Sequence, residues 1–79
     1  MTDLDFRLPK LGMSILEATI SEWLVEEGAV VEEGQPLVVV EMDKAESDLP
    51  SPIAGTIVKI VPRAGDLVEV GAVLAVIRP

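Results

Sequence analysis

The stretch EMDKAESDLPSP, residues 41–52, places one lysine among acids directly after the apolar run PLVVV. Lys44 follows Asp43 and lies near Glu41 and Glu46. One interpretation is that the lysine amine stays in solvent and neutralises these acids, as most surface lysines do. The other is that the chain presents this amine for a functional role. The strands and turns that position Lys44 help to decide between the two interpretations.

The residue types available limit the chemistry that the chain itself can perform. It contains no Cys, so it forms no disulfide and has no thiolate nucleophile or thiolate metal ligand. It contains no His, which removes the usual general base near neutral pH and the usual nitrogen ligand of zinc. The sequence has no phosphate-binding loop and no nucleophile with a partner base, and we expect no catalysis by this chain alone.

Charge limits the partners of the chain. Fourteen acidic residues against six basic ones give a formal net charge of −8. A field of this sign repels nucleic-acid phosphate and anionic lipid, and it favours partners with basic docking surfaces. No apolar run approaches the ~20 residues that cross a bilayer, and the polar start MTDLDFR differs from a signal peptide. We expect a soluble domain without nucleic-acid or membrane partners, monomeric in isolation, in the bacterial cytoplasm or in a mitochondrial matrix.

An internal repeat organises the chain. Its 79 residues allow one domain, 1–79, with one small core. The apolar share of 49% is mostly Val, Leu, Ile and Ala, which favours strands. Residues 16–41 align without a gap with residues 53–78 at an offset of 37, with eight identities in twenty-six pairs. Because one copy cannot bury its apolar face alone, we predict that the copies pair face to face around one core.

The repeat predicts the same elements in each half: a strand, a glycine turn, a short strand, a second glycine turn and another strand. The predicted first strands are Thr19–Val25 and Gly55–Val61, and Trp23 is expected in the core rather than at a cofactor. Strands near Asp3–Leu8 and Ala45–Leu49 bring the number to about eight. The predicted fold is all-β, a flattened barrel or sandwich of two four-stranded antiparallel sheets with a pseudo-two-fold axis. The turn glycines, expected to need a positive φ, are Gly28, Gly34, Gly65 and Gly71.

These elements place Lys44 on a turn. Asp43-Lys44 falls between the strand that ends at Glu41 and the next extended segment, and Asp is a favoured turn residue. Pro50 and Pro52 restrict the returning segment, which we expect to be short or at a sheet edge. The repeat offset puts this hairpin where the two chain ends lie in the other half. We therefore expect Lys44 at the opposite end of the domain from the termini.

The segment Glu41-Met42-Asp43-Lys44-Ala45 resembles the attachment turn of lipoyl domains, whose pattern is close to E-T-D-K-A. The resemblance continues over LPKLGMSILEATISEWLVEEG, GQPLVVVEMDKAESDLPSPIAGTI and GDLVEVGAVLAVI. Such domains belong to the dihydrolipoamide acyltransferase component of 2-oxo acid dehydrogenase complexes. The resemblance implies lipoic acid joined as an amide to Lys44, with Asp43 and Ala45 as flanking recognition residues for a lipoate ligase or lipoyl transferase. It also implies a non-catalytic carrier whose prosthetic group performs the chemistry.

The same resemblance implies three enzymatic partners. A thiamine-dependent 2-oxo acid decarboxylase acylates the arm, an acyltransferase core passes the acyl group to coenzyme A, and a flavin-dependent dihydrolipoamide dehydrogenase reoxidises the dithiol. The loop sequence LPKLGMS is most similar to carriers of pyruvate or acetoin dehydrogenase complexes. We expect the chain to be the N-terminal carrier segment of a longer acyltransferase.

The resemblance also implies where a decarboxylase docks. In the family, the loop between the first two strands lies near the attachment turn and helps the decarboxylase recognise its carrier. Here this loop is residues 11–16, whose apolar side chains either contact the partner or pack beneath the hairpin. Nearby acids either contribute to docking or only keep the surface soluble. The candidate docking residues are Gly12, Met13, Ser14, Glu17 and Glu46.

Two other classes remain as alternatives. The biotin carboxyl carrier domain resembles this fold and holds its lysine in a turn close to A-M-K-M, whereas Asp43 and Ala45 flank the lysine here and favour lipoate. Met42 stands where the lipoyl family often has Thr, and Val39 where it often has an acid. The third class is an unmodified barrel used for assembly.

Overall fold

The computed structural model describes residues 2–10, 16–42 and 45–79. Within these ranges the chain forms strands and no helix, as the strand-favouring composition predicts. The described ranges thus contain no helix of the length and hydropathy needed to cross a membrane. The eight strands are β1 (Leu4–Arg7), β2 (Glu17–Trp23), β3 (Val30–Val31), β4 (Pro36–Met42), β5 (Ala45–Pro50), β6 (Gly55–Ile60), β7 (Leu67–Glu69) and β8 (Val73–Arg78).

The strands form two four-stranded antiparallel sheets. One sheet has the order β5-β4-β2-β7, and because it contains the β4–β5 hairpin we name it the hairpin sheet. The other has the order β1-β8-β6-β3, and because its first two strands lie next to the chain ends we name it the terminal sheet. The predicted fold class, two four-stranded antiparallel sheets in a flattened sandwich, is confirmed.

Each sheet takes its short strand from the other half of the repeat. β3 pairs with β6, and β7 pairs with β2. Beside these exchanged strands, the N–H of Gly28 donates to the carbonyl of Ile57 at 2.6 Å, and the N–H of Gly65 donates to that of Ile20 at 2.7 Å. Gly28 has φ 91° and Gly65 has φ 95°, a backbone region that favours glycine. The glycine turns are therefore where the chain crosses from one sheet to the other.

The long strands repeat the same pairing register in both sheets. Thr19 pairs with Glu41 in the hairpin sheet, and Thr56 pairs with Arg78 in the terminal sheet, each partner 37 residues further along. Both ladders also shift register at the same place, around Ser21 in the first of them. A pseudo-two-fold axis therefore relates the two sheets, and individual residue pairs of one sheet have equivalents in the other.

One apolar core fills the space between the sheets. Buried side chains are mostly separated by more exposed ones along the strands, and consecutive buried pairs occur where the pairing register shifts, at Leu37-Val38 and Leu74-Ala75. Each buried Leu, Ile or Val contributes about 1.5–3 kcal/mol to folding. Trp23 is half-buried against this core, as predicted, and its Nε1–H donates to the carbonyl of Pro62 at 3.0 Å. The buried apolar residues are Phe6, Leu8, Ala18, Ile20, Val31, Leu37, Val38, Val40, Leu49, Ile57, Leu74, Ala75 and Ile77.

The two long first strands of the repeat differ at their ends from the sequence-based expectation. The first long strand begins earlier and ends earlier than Thr19–Val25, at Glu17 and Trp23. Its counterpart ends at Ile60, one residue before the predicted end. The residues that follow, Leu24 and Val61, are apolar and so extended the predicted strands, but they are 45% and 51% exposed. The hydropathy of neighbouring residues does not show whether an apolar residue belongs to a strand or follows its end.

Candidate functional site

The β4–β5 hairpin carries the segment singled out in the sequence. Met42 at the end of β4 pairs with Ala45 at the start of β5. Only two residues join the paired strands, and these are Asp43 and Lys44, which lie outside the described residues. The structure therefore defines the two strands that lead to the lysine.

The base of this hairpin is held firmly by the core. Leu37, Val38 and Val40 of β4 have no exposed surface, and Leu49 of β5 is 3% exposed. Because side chains alternate between the faces of a strand, a one-residue slip of β4 would bring Val38 and Val40 to solvent, so burial specifies the register. β4 lies between β2 and β5, whereas β5 lies at the sheet edge. An edge position was one of the two outcomes expected from Pro50, the last residue of β5, and Pro52.

The end of β5 is tied to the rest of the fold through Ser51. This side chain is 2% exposed, and its hydroxyl donates to the carbonyl of Ile53 at 2.6 Å. Its backbone N–H donates to the carbonyl of Gln35, and its carbonyl accepts from the N–H of Gly34, both at 2.8 Å. The hairpin is thus anchored at its base.

The exposed face of the hairpin is acidic. Glu41 pairs directly with Glu46, and Val39 pairs with Asp48. All three acids are exposed, and no ion pair joins them to a basic side chain within the described part of the chain. Like charges directly opposite each other on neighbouring strands are destabilising. The chain keeps them beside its candidate site.

The predicted docking residues fall into two groups. Gly12, Met13 and Ser14 lie outside the described residues. Glu46 is exposed on β5, next to the hairpin tip, and Glu17 is exposed at the first position of β2. Since β2 runs antiparallel to β4, the start of β2 lies at the same end of the sheet as the tip, and the fold brings the two glutamates to one face.

A shallow hollow of about 710 Å³ lies beside Glu17. Its lining includes Leu16, Val70 and Glu69, and Glu69 is the strand partner of Glu17. Leu16 is 70% exposed, so it does not pack beneath the hairpin, which was one interpretation of the loop. Sequence reasoning missed Glu69, because the two glutamates are far apart in the chain and meet only through the exchanged strand β7.

No arrangement suited to a metal is found among the described residues. In those ranges no group of three or more Asp, Glu, His or Cys side chains could hold an ion. The acids of the hairpin sheet therefore act as surface charges in the described structure. What they surround is the two-residue connection between β4 and β5.

The described fold can now be compared with known proteins. A family model described as "biotin-requiring enzyme", which covers biotin and lipoyl attachment domains, matches residues 4–77. The chain belongs to this biotin/lipoyl family. The match begins with the first residue of β1 and ends within β8, so both sheets are included.

Relatives of this biotin/lipoyl domain are components of lipoyl-dependent complexes. The chain is 48% identical over 71 residues to the dihydrolipoyllysine-residue acetyltransferase component of the pyruvate dehydrogenase complex of Corynebacterium glutamicum, covering 90% of the chain and 10% of that protein. It is 41% identical over 74 residues to the succinyltransferase component of the 2-oxoglutarate dehydrogenase complex of Bartonella vinsonii, covering 94% and 18%. It is 42% identical over 72 residues to the acetyltransferase component of the acetoin cleaving system of Cupriavidus necator, covering 91% and 19%. The chain thus spans less than a fifth of the length of each relative.

Solved structures agree with this class. The lipoyl domain of the 2-oxoglutarate dehydrogenase complex from Azotobacter vinelandii matches with a TM-score of 0.78 at 28% identity, covering 95% of both chains. Urea carboxylase from Kluyveromyces lactis matches with a TM-score of 0.83 at 23% identity, covering 99% of this chain and 6% of the enzyme, which concerns the fold alone. The chain is therefore a lipoyl-type domain, a carrier that holds lipoic acid on a lysine rather than an enzyme.

The described flanks of the candidate lysine fit such a group. Ala45, Glu41 and Glu46 are all exposed, and among the described strands none pairs with the outer edge of β5. A modifying enzyme can therefore approach both sides of the connection without displacing the core.

Proposed function

We propose that this domain carries lipoic acid as an amide on Lys44 and presents it in turn to the enzymes of a 2-oxo acid dehydrogenase complex. The observation that supports this most directly is the two-residue connection between the paired Met42 and Ala45, at the exposed end of an anchored hairpin. When bound, lipoic acid supplies a disulfide that accepts an acyl group together with two electrons. The chain itself contributes tethering and presentation.

Each part of the hairpin has a role in this proposal. The buried side chains of β4 and Leu49 hold the strands in one register, so that the connection always emerges at the same place. Asp43 and Ala45 are the flanking residues that a lipoate ligase or lipoyl transferase recognises. Amide formation removes the positive charge of Lys44, which leaves the acids around it unopposed.

The test of the attachment site is mass spectrometry of the intact domain and of its peptides. The domain is incubated with lipoate ligase, ATP and lipoate, and separately with biotin ligase, ATP and biotin. We expect one lipoyl adduct on Lys44, no biotin adduct, and complete loss of lipoylation in Lys44→Ala. Lys59→Ala is the matched control, since Lys59 is exposed in strand β6, and it should be lipoylated fully.

Each outcome of this test has a distinct meaning. Lipoylation that persists at full extent in Lys44→Ala would contradict the assignment of the lysine. A biotin adduct on the unaltered domain would favour the biotin carboxyl carrier. An absence of adducts in both reactions would favour an unmodified barrel used for assembly.

We infer that the parent complex acts on pyruvate or acetoin, and that the chain is a segment of a longer acyltransferase in the cytoplasm of a bacterium. The short span of the chain within its acyltransferase relatives supports the longer parent, and all three relatives are bacterial. In such a parent, tethering makes each encounter with the acyltransferase core and with dihydrolipoamide dehydrogenase effectively intramolecular. Reductive acylation of the lipoylated domain by decarboxylases specific for pyruvate, acetoin or 2-oxoglutarate would test the substrate, and acylation by the 2-oxoglutarate enzyme alone would overturn our choice.

A further inference from the structure

The strand β1 lies at an open edge of the terminal sheet. It pairs with β8 on one side, and none of the described strands pairs with its other side. An unpaired strand edge presents backbone N–H and C=O groups that can pair with another chain. The residues of β1 indicate which chain would fit there.

Backbone hydrogen bonds show which residues face the open edge. The N–H and the carbonyl of Leu8, directly after β1, both bond to the segment 71–72 that precedes β8, each at 2.9 Å. Because successive residues of an antiparallel strand direct their backbone groups to alternate sides, those of Arg7 and Asp5 face the open edge. The register shift in this pair of strands adds its extra residue, Leu74, to β8, so β1 keeps the alternation.

The side chains of β1 alternate in the same way. Phe6 is buried in the core, whereas Asp5 and Arg7 are exposed on the other face of the strand. The Arg7 guanidinium lies 3.4 Å from Asp5 Oδ2, and the two side chains are 56% and 49% exposed. This distance is long for a charge-assisted hydrogen bond. Both charged groups are therefore available to a second partner.

An apolar groove runs beside the open edge. It is a hollow of about 450 Å³ between β1 and the end of β5, the edge strand of the other sheet. An added strand that pairs with β1 would also cover this groove, which favours strand addition over other kinds of contact. The apolar lining is Leu4, Phe6, Pro9, Leu49, Pro50 and Pro52.

The charges of β1 favour a second copy of the chain in one register. Residues of the same face must lie opposite each other when two β1 strands pair antiparallel, so few registers are possible. One register places Phe6 of one copy opposite Phe6 of the other, and Asp5 of each copy then lies opposite Arg7 of the other. The adjacent registers place Asp5 opposite Asp5, or Arg7 opposite Arg7, and these like charges repel. A two-fold axis through the Phe6 pair gives a closed dimer.

We propose that the β1 strands of two copies pair antiparallel about Phe6, which joins two terminal sheets into one sheet of eight strands. Asp5 and Arg7 exchange the ladder hydrogen bonds, and their side chains form two ion pairs between the copies. The net charge of −8 on each copy opposes the association, so the isolated domain stays monomeric at micromolar concentration. Tethering within a larger assembly raises the effective concentration to about millimolar, where the pair forms.

The pair goes beyond the proposed carrier function and is compatible with it. Neither Ala45 nor Glu46 lines the groove. The described start of β5, beside the candidate attachment site, therefore stays uncovered in each copy. The pairing uses groups of the unmodified chain alone, so it can be tested without lipoic acid.

Two charge reversals test the register. Asp5→Arg and Arg7→Asp each place like charges at both cross-strand positions, and each variant alone should associate about tenfold or more weakly than the unaltered domain. An equimolar mixture of the two variants restores opposite charges at both positions. We expect the mixture to associate as tightly as the unaltered domain. NMR translational diffusion from ~0.05 to ~2 mM protein measures the association.

Matched controls carry the same changes of net charge elsewhere. Glu22→Arg lies on β2 and Lys59→Asp on β6, and both strands are inside their sheets. At ~0.15 M salt, where separated surface charges are largely screened, we expect each control to associate like the unaltered domain to within about twofold. If controls and β1 reversals weaken association equally, net charge alone governs it and the β1 pair is wrong.

A measurement on the unaltered domain needs no variant. The backbone amide signals of Asp5 and Arg7 should shift with protein concentration, and their hydrogens should exchange more slowly in the concentrated sample. An absence of association up to ~2 mM would overturn the proposal, as would shifts confined to other strands. Melting temperatures identify any variant that fails to fold. A missing lipoyl adduct would count against the carrier function and leave the pairing intact.

Discussion

The repeat makes two regions of the molecule equivalent. The connected end of the β4–β5 hairpin in the hairpin sheet corresponds to the chain ends beside β8 and β1 in the terminal sheet. At the chain ends, the Arg78 guanidinium donates to the Asp3 carboxylate, with 3.1 Å between Nε and Oδ1. The register places Glu41 and Glu46 at the corresponding positions of the hairpin. One end is closed by an ion pair between two segments that are far apart in the chain. The other is closed by the two-residue connection between Met42 and Ala45, next to two acids that repel each other.

The difference in charge reflects how each end is held together. Two free segments must attract each other to stay paired, so opposite charges suit the chain ends. A hairpin is closed by its own backbone, so its side chains are free to serve a partner even at some expense of stability. The charge of the hairpin tip is therefore better explained by recognition than by folding.

The largest expected effect tests whether the two units contribute equally to the core. Leu37 in β4 and Leu74 in β8 are equivalent in the repeat, and both have no exposed surface. We expect Leu37→Ala and Leu74→Ala each to lower the free energy of unfolding by about 2–5 kcal/mol, measured by chemical denaturation.

The two leucine variants serve as controls for each other. Because their surroundings are symmetric, we expect their effects to agree to within ~1 kcal/mol. A much larger loss in one of them would show that the pseudo-symmetry of the backbone does not extend to the energetics of the core.

A smaller effect is expected from making the hairpin resemble the chain ends. Glu46→Lys replaces the like-charge pair with Glu41 by an opposite-charge pair of exposed side chains. We expect the free energy of unfolding to rise by ~0.2–1 kcal/mol at low ionic strength, because the repulsion is removed and an attraction is added. Urea denaturation at low and high salt measures the change.

Glu46→Gln separates the two contributions of that change. It removes the repulsion without adding a cation, so its effect should be smaller than that of Glu46→Lys. If both variants are less stable than the unaltered domain at low salt, the acids of the tip stabilise the fold and our comparison of the two ends is wrong.

The smallest effect concerns the ion pair at the chain ends and depends on pH. The hydrogen bond from Arg78 is the main cause that holds the pKa of Asp3 below its ordinary value of 3.8; desolvation opposes this, and the positive charge of Arg78 adds to the lowering. Because the folded-state pKa is the lower one, the unfolded chain takes up the proton first as the pH falls. The contribution of Asp3 is therefore complete above its ordinary pKa and is lost as the pH falls through the folded-state value.

Asp3→Asn tests this sign. At pH ~7 we expect its melting temperature to lie slightly below that of the unaltered domain, and the difference should shrink as the pH falls below the ordinary pKa of an aspartate carboxyl. Asp5→Asn, on the same strand, is the control. A difference that grows towards acid pH would have the wrong sign and would remove the ion pair from our account of the chain ends.

Much of the architecture follows from local patterns. The β-branched composition and the offset of 37 predicted an all-β domain of two similar halves, and the four turn glycines have the positive φ expected of them. The edge position of β5 was one of the two outcomes expected from Pro50 and Pro52, since proline cannot donate to a ladder. The resemblance around Lys44 predicted the lipoyl class, which the relatives support.

Other features depended on contacts that no local pattern contains. Gly55 stands where the first half has the buried Ala18, and a Cβ there would collide with the carbonyl oxygen of Arg78. The need for glycine at this position comes from a strand that pairs with it across the sheet. The sequence did not predict the requirement for glycine at position 55, because this residue is neither in a glycine turn nor at a positive φ.

By itself the sequence determined the strand content, the twofold repeat and the candidate lysine, because each rests on neighbours in the chain or on a fixed offset. Only the tertiary structure decided that β3 and β7 exchange sheets, which brings Ala18 opposite Val68 and Glu17 opposite Glu69. Short strands are compatible with pairing in either sheet, and the choice depends on closing one core between both halves. That choice also brings the acids to a single face, because residues that are far apart in the chain share a face only after the strands have paired.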